Sequence, residues 1–230
     1  MKVASFWMPT SHEKKIISSV VDKGNNREKE DLKFTIINFA SFYEILDEKE
    51  VLLCKKYLAI NPLKLGYKLP FLGYDSLSRD LIEIGNQSYI WEGETKTIPN
   101  QYLTHSVFEA VNKMISAMYE DIGKKVLIEW GHRSPARQVH IFFKFFKHYN
   151  YDFEKTISRI CFPAYSEHVC AQRQAIDFIT AEGIDDDFDK TAEYRWLKEN
   201  AAKFGFYESY PRENNSGMMY EPWHWHYEAV

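Results

Sequence analysis

Apolar residues after Tyr102 fall at Val107, Ala110, Val111, Met114, Ile115 and Met118, the i, i+3, i+4, i+7 stripe of an amphipathic helix that stops near Gly123. A stripe of this kind is a core face, not a cofactor site. Upstream the pattern is weaker. Residues 13–21 predict a short helix, and the charged run 23–30 reads as a loop or helix start. Ile37, Phe39, Phe42, Ile45 and Leu46 recur at helical spacing and continue toward Leu58, which predicts a single helix covering part of the core. Residues 61–70 are dense in turn formers and read as an extended connector. Gln87–Trp91 reads as a short strand ending at Glu92 and Gly93.

Beyond Gly123 the periods alternate between two and about 3.6. Residues 125–130 predict a strand; Ser134 is placed to cap a new helix, with Pro135 at its first position and the apolar block 141–146 inside it. Ala175–Thr180 predicts a buried strand. Residues 192–204 predict a helix with Tyr194, Trp196, Leu197 and Ala201 facing inward, closed by Gly205. Residues 206–210 follow as a strand and 211–217 as a polar hairpin loop. From Trp223 the chain alternates ring, histidine, ring, histidine, ring. As a strand this puts His224 and His226 on one face and Trp223, Trp225 and Tyr227 on the other. Pro222 pushes Glu221 to a bend or strand start. The two strands, Ala175–Thr180 and the one ending at Tyr227, belong to one small sheet.

Two stretches carry chemistry. Asp177 stands alone in the apolar strand, and a buried carboxylate is costly unless it is paired or bound to a metal. His168 lies just upstream in a loop. With His224 these residues make a two-nitrogen, one-oxygen set that leaves a fourth position open for water, the composition of a catalytic zinc site. Glu221, three residues before His224, is placed to take a proton from that water. Arg133 falls at a strand-to-helix junction, where a guanidinium aimed into a cleft grips a carboxylate or steadies an oxyanion. The bland alternatives are a solvent-facing His-x-His edge strand, a salt-bridged edge-strand aspartate and a surface arginine. Glu182, Asp185, Asp186 and Asp187 form an acidic turn without the spacing of a calcium loop.

Composition narrows the classes. The chain has 230 residues, 45% hydrophobic and 27% charged, enough for a large core. A net charge of -4 argues against nucleic acid as the partner. No run approaches the roughly 18 to 20 apolar residues of a membrane span. Residues 1–10 lack the apolar centre of a signal peptide, so the chain as written reads as cytoplasmic, with periplasmic or cell-wall action open to it after loss of a leader or release by lysis. Cys54, Cys161 and Cys170 are odd in number and form no Cys-x-x-Cys pair, which indicates reduced structural thiols. Cys170 is the one to watch, because of His168. Nothing in the sequence sets an oligomeric state.

Three separated segments together resemble the zinc D-alanyl-D-alanine carboxypeptidase and dipeptidase family of the vancomycin-resistance (VanY) type. They are Gly131-His132-Arg133-Ser134 with Gln138; Ser166-Glu167-His168 with Ala175-Ile176-Asp177; and Trp196-Leu197 through Phe204-Gly205-Phe206 to Glu221-Pro222-Trp223-His224-Trp225. The resemblance covers about residues 100–230. It implies an α+β fold, a small antiparallel sheet with packed helices like that of the hedgehog domain and DD-peptidases. It also implies zinc on His168, Asp177 and His224, Glu221 as general base, and Arg133 stabilising the oxyanion or holding substrate. Ser166, Gln138, His226 and Trp223 are then the substrate-binding positions, and the partner is a peptidoglycan peptide. Residues 1–60 are expected to form a helical extension and 61–230 the peptidase domain. His168 and Asp177 stand two residues further apart than in the family's motif, so the turn between them must bulge. The family's tyrosine before the arginine is here His132, and its arginine after Trp225 is here His226. The leading expectation is removal of terminal D-alanine. The alternatives are an L-alanyl-D-glutamate endopeptidase, an L,D-carboxypeptidase, or a non-catalytic zinc-bearing module.

Overall fold

The computed structural model describes residues 8–73, 81–171, 173–184 and 187–229. Asp185 and Asp186 of the expected acidic turn, and Met1 to Trp7, lie outside these described residues. In chain order the helices and strands are α1 (Ser11–Glu30), α2 (Phe39–Glu44), α3 (Glu48–Leu58), β1 (Leu81–Ile84), β2 (Gln87–Trp91), β3 (Glu94–Ile98), β4 (Gln101–Thr104), α4 (His105–Ile122), β5 (Val126–Trp130), α5 (Pro135–His148), α6 (Phe153–Arg159), β6 (Ala175–Thr180), α7 (Ala192–Asn200), β7 (Phe206–Glu208) and β8 (His224–Tyr227). Short 3-10 turns occur at Phe34–Ile36, Pro62–Leu65, Phe188–Lys190 and Ala201–Phe204. The chain divides into two units, the first holding the described residues of Met1–Ser76 with Ser134–Val169 and Asn214–Met219, the second those of Leu77–Arg133 with Cys170–Glu213 and Tyr220–Val230.

The first unit is helical. Thr10 and Glu13 close a reciprocal cap at the start of α1, whose Ile17, Val20 and Val21 are buried. The charged run 23–30 is the second half of this helix and not a loop, because its charges find partners along and beside it: Lys23 pairs with Glu50 at 2.7 Å and Arg27 with Asp31 at 3.1 Å. Gly24 allows α5 to come close, since a Cβ there would lie 2.2 Å from Cδ2 of His140. Burial pushes His140 down to about 3, so its imidazole is neutral; Arg137 donates to Nδ1 at 2.5 Å and Nε2–H donates to the Val21 carbonyl at 3.2 Å. The single helix expected up to Leu58 is broken into α2 and α3, because Asn38 and Asp47 each accept a backbone N–H at 2.9 Å and act as new caps. The connector at 61–70 is less extended than expected: Asn61 caps the Pro62–Leu65 turn, and Gly66 ends it at φ +86°. α5 starts as the sequence requires, with Ser134 accepting from Arg137 N–H at 3.1 Å and Pro135 in the first turn.

The second unit is built on an antiparallel sheet of order β5-β6-β8-β7. β6 is therefore interior and buried along its whole length. Its Ile176 and Phe178 join Trp225 of β8, Phe206 of β7, Trp196 and Leu197 of α7, and the Val107, Val111, Met114 and Met118 face of α4 in one core. α4 ends at Gly123 with φ +66°, a backbone that glycine adopts without strain. β1 pairs with β4 and β2 with β3, both antiparallel. Glu92 and Gly93, at φ +50° and +80°, make the tight turn of the β2-β3 hairpin. β3 escaped the sequence pattern because four of its five residues, Glu-Thr-Lys-Thr, are polar and mostly exposed. The final strand is shorter than the alternation suggested: Trp223 lies in the turn before β8. No described helix is long and apolar enough to cross a membrane.

Candidate active site

Register brings the two chemical stretches together. In the β6-β8 ladder Asp177 stands opposite His224, and Ala175 opposite His226. Pairing of β5 with β6 shifts register between Ile128 and Trp130, and Trp130 is then the residue opposite Asp177. A shift of this kind adds local twist and re-aims the residues that follow.

Asp177 is 6% exposed at the centre of an apolar strand, and its oxygens are engaged. Oδ2 accepts from Nη2 of Arg133 at 3.1 Å, and Oδ1 lies 2.7 Å from Nδ1 of His224. Arg133 is itself buried, with its guanidinium 5.9 Å from the centre of the Trp130 ring. The pair is thus a buried charge satisfied by a buried countercharge, the arrangement in which removing one partner is expensive.

Glu221, Pro222, Trp223 and His224 form a tight turn closed by His224 N–H donating to the Glu221 carbonyl at 3.1 Å. Proline at the second position presets the turn. The Trp225 indole donates to the Pro222 carbonyl at 2.9 Å, which ties the turn to the core. This fold of the chain places Oε2 of Glu221 4.0 Å from Nδ1 of His224, with Glu221 buried. A proton acceptor therefore sits beside the histidine.

His168 is buried in the turn in which Val169 N–H donates to the Ser166 carbonyl at 3.1 Å. His168, Asp177 and His224 each offer one ligand atom, and these atoms lie within 4.8 Å of one another. Two imidazoles and a carboxylate, all buried, fit the donor set of a zinc ion that keeps one position for water. Cys170, although buried nearby in sequence, is not a member of that group.

The other expected residues occupy varied places. Ser166 is 2% exposed, and Gln138 is fully buried with its amide donating to the Cys161 carbonyl at 2.8 Å. His226 lies against Ser209, Nδ1 to Oγ at 2.7 Å, beneath the Tyr207 ring. Trp223 packs against the apolar core. Two residues that sequence reasoning treats only as strand positions have a place here: Trp130 beside Arg133, and Tyr210, whose ring lies on His224.

Gly131 positions Arg133. Its N–H donates to the Gln101 side chain at 3.0 Å, His132 N–H donates to the Tyr102 carbonyl at 2.6 Å, and a Cβ on Gly131 would sit 2.6 Å from that same carbonyl oxygen. Gly131→Ala is expected to force β4 away and lower stability by about 1–3 kcal/mol, the range for overpacking. A thermal melt unchanged from wild type would contradict this.

The family model described as VanY, D-alanyl-D-alanine carboxypeptidase, matches residues 100–230. The chain belongs to the VanY family. The chain is similar to the D-alanyl-D-alanine carboxypeptidase of Enterococcus faecalis, 37% identical over 73 residues, which is 31% of this chain and 25% of that one. A second relative, the D-alanyl-D-alanine carboxypeptidase of Enterococcus faecium, is 22% identical over 173 residues, 74% of this chain and 52% of that one. The chain therefore spans between a quarter and about half of the length of these two relatives. Among solved structures it resembles the LdcB LD-carboxypeptidase, with a TM-score of 0.53 and 26% identity over 70% of this chain and 72% of that one. The fold is the α+β arrangement expected of the hedgehog and DD-peptidase class.

Proposed function

We propose that this VanY-family chain is a zinc-dependent peptidase that hydrolyses the bond next to a D-amino acid in peptidoglycan stem peptides, releasing terminal D-alanine from D-Ala-D-Ala. The observation that carries it is the register of β6 on β8, which sets Asp177 against His224 with Glu221 4.0 Å from that histidine. His168, Asp177 and His224 would hold the zinc. Bound there, the ion supplies Lewis acidity, polarising a carbonyl and lowering the pKa of water.

The remaining work falls to side chains of this chain. Glu221 takes a proton from the attacking water as the water oxygen bonds to the scissile carbonyl carbon, and returns that proton to the amine nitrogen as the C–N bond breaks. Backbone hydrogen bonds on both sides of Glu221 fix the main chain of its turn, which limits where the carboxylate can reach. Arg133, anchored through one nitrogen on Asp177, contributes positive charge where the carbonyl oxygen becomes anionic or where a substrate carboxylate docks. Trp130 and the buried walls around the site keep bulk water from screening these charges.

A second reading is supported by the likeness to the LdcB LD-carboxypeptidase: cleavage of the D-alanine that follows an L-centre in a tetrapeptide stem. Mass spectrometry separates the two. Purified pentapeptide and tetrapeptide muropeptides are incubated with the protein, with and without a chelator. Chelator-sensitive loss of one alanine from the pentapeptide alone is the expected result. Loss from the tetrapeptide alone selects the second reading, and no loss from either overturns both.

A further inference from the structure

Ser209 and Tyr210 carry the chain beyond Glu208, the last residue of β7 paired with β8. Ser209 N–H still donates to the His224 carbonyl at 3.3 Å, and the Tyr210 carbonyl accepts the N–H of Glu221 at 3.1 Å. The Tyr210 ring, 2% exposed, lies over the His224 imidazole with centroids 4.8 Å apart and planes inclined by 32°. At its edge the same imidazole meets Asp177, Nδ1 to Oδ1 at 2.7 Å. The segment is tied again further on, since the Arg212 guanidinium stacks on Tyr220 at 4.2 Å and pairs with Asp189, which also accepts from the Tyr220 hydroxyl at 3.2 Å.

We infer that Tyr210 is a positioning residue of the metal centre, setting the tilt of the His224 imidazole with its ring and the seat of Glu221 with its carbonyl. The inference rests on the reading of His224 as a zinc ligand and Glu221 as the base. One hydrogen bond at Nδ1 fixes where the imidazole edge points, yet leaves the ring free to rotate about that line. A ring packed on its face removes the remaining freedom, and the imidazole is then held in one orientation. The same residue holds the main chain of the base, so His224 and Glu221 are set relative to each other by a single side chain and its own backbone. Groups that orient a metal ligand are typically worth about 10- to 100-fold in metal affinity or activity.

The test compares Tyr210→Phe, which keeps the ring, with Tyr210→Leu, which keeps only apolar volume; both keep the carbonyl. Zinc dissociation constants are measured by competition with a chromogenic chelator on folded protein, next to melting of the chelator-stripped forms and kcat and KM on a D-Ala-D-Ala peptide. Phe is expected to hold zinc within about threefold of wild type, and Leu to lose about 10- to 100-fold in zinc affinity, with kcat falling and KM little changed. A purely structural tyrosine would lower the melting temperature of the stripped Leu protein and leave the affinity of its folded form unchanged. If Leu does not fold, Tyr210→Met, whose flexible chain fills the same space, takes its place. Wild-type affinity in the Leu or Met variant, or equal losses in Phe and Leu, overturns the inference. Wild-type protein that binds no zinc overturns it together with the peptidase reading. Zinc binding without hydrolysis, with Leu still weaker, overturns the peptidase reading and leaves the role of Tyr210 standing.

Discussion

Glu221→Gln is expected to leave zinc binding intact and to lower kcat by about 10²- to 10⁴-fold, the span that general acid-base catalysis contributes. The substitution keeps the shape of the side chain and every backbone bond of the Glu221 turn, in which Glu221 N–H donates to Tyr210 and the Glu221 carbonyl accepts from His224. What it removes is a basic oxygen. A carboxamide cannot hold the proton that leaves the attacking water, and it cannot return one to the departing amine. Because Glu221 is outside the ligand group of His168, Asp177 and His224, metal content should not follow activity down. Steady-state kinetics on a D-Ala-D-Ala peptide, paired with zinc analysis of the same preparation, reads both halves. A Gln variant with wild-type turnover would remove Glu221 from the mechanism.

Asp177→Ala is expected to cost stability and metal together. With Arg133 and Asp177 side chains at 9% and 8% exposure, the ion pair is out of reach of solvent screening. Deleting the carboxylate strands a buried guanidinium, and breaking a buried pair on one side costs about 3–5 kcal/mol. Urea unfolding in the presence of a chelator isolates that cost from any contribution of bound metal. Asp177→Asn separates the two effects. Its amide oxygen still accepts from Arg133, so the stability loss should be well below that of the alanine variant, while zinc, which needs the anionic ligand, is lost in both. A metal-free alanine variant as stable as wild type would show that the Arg133 pair contributes nothing.

The parts of this site that could be read in the chain are those where chemistry conflicts with burial. An aspartate in the apolar run Ala175–Thr180 has few reasons to be there, and the run's length marks it as an interior strand. Glu221-Pro222 followed by alternating rings and histidines announces a turn and then a two-faced strand, which is how Trp225 comes to lie in the core while His224 faces Asp177. Ser134-Pro135 and Gly123 mark helix ends through backbone chemistry that does not depend on distant residues. What stayed hidden depends on partners far along the chain. The second half of α1 looks like a loop until Glu50 and the other side chains that answer its charges are in view. β3 has polar faces because it belongs to an exposed hairpin, so alternation had nothing to register. Tyr210 reads as one more strand aromatic, since its role comes from stacking on a residue 14 positions later. The nearness of His168 to the β6-β8 pair came from motif likeness, not from any local pattern, because a loop of unusual length separates it from Asp177.

Zinc content per chain, measured by elemental analysis on wild type and on His168→Ala, Asp177→Asn and His224→Ala prepared alike, tests the shared site most directly. One zinc per wild-type chain, lost in each of the three folded variants, is the predicted result. A metal-free wild type, or zinc retained at wild-type stoichiometry in the variants, would contradict it.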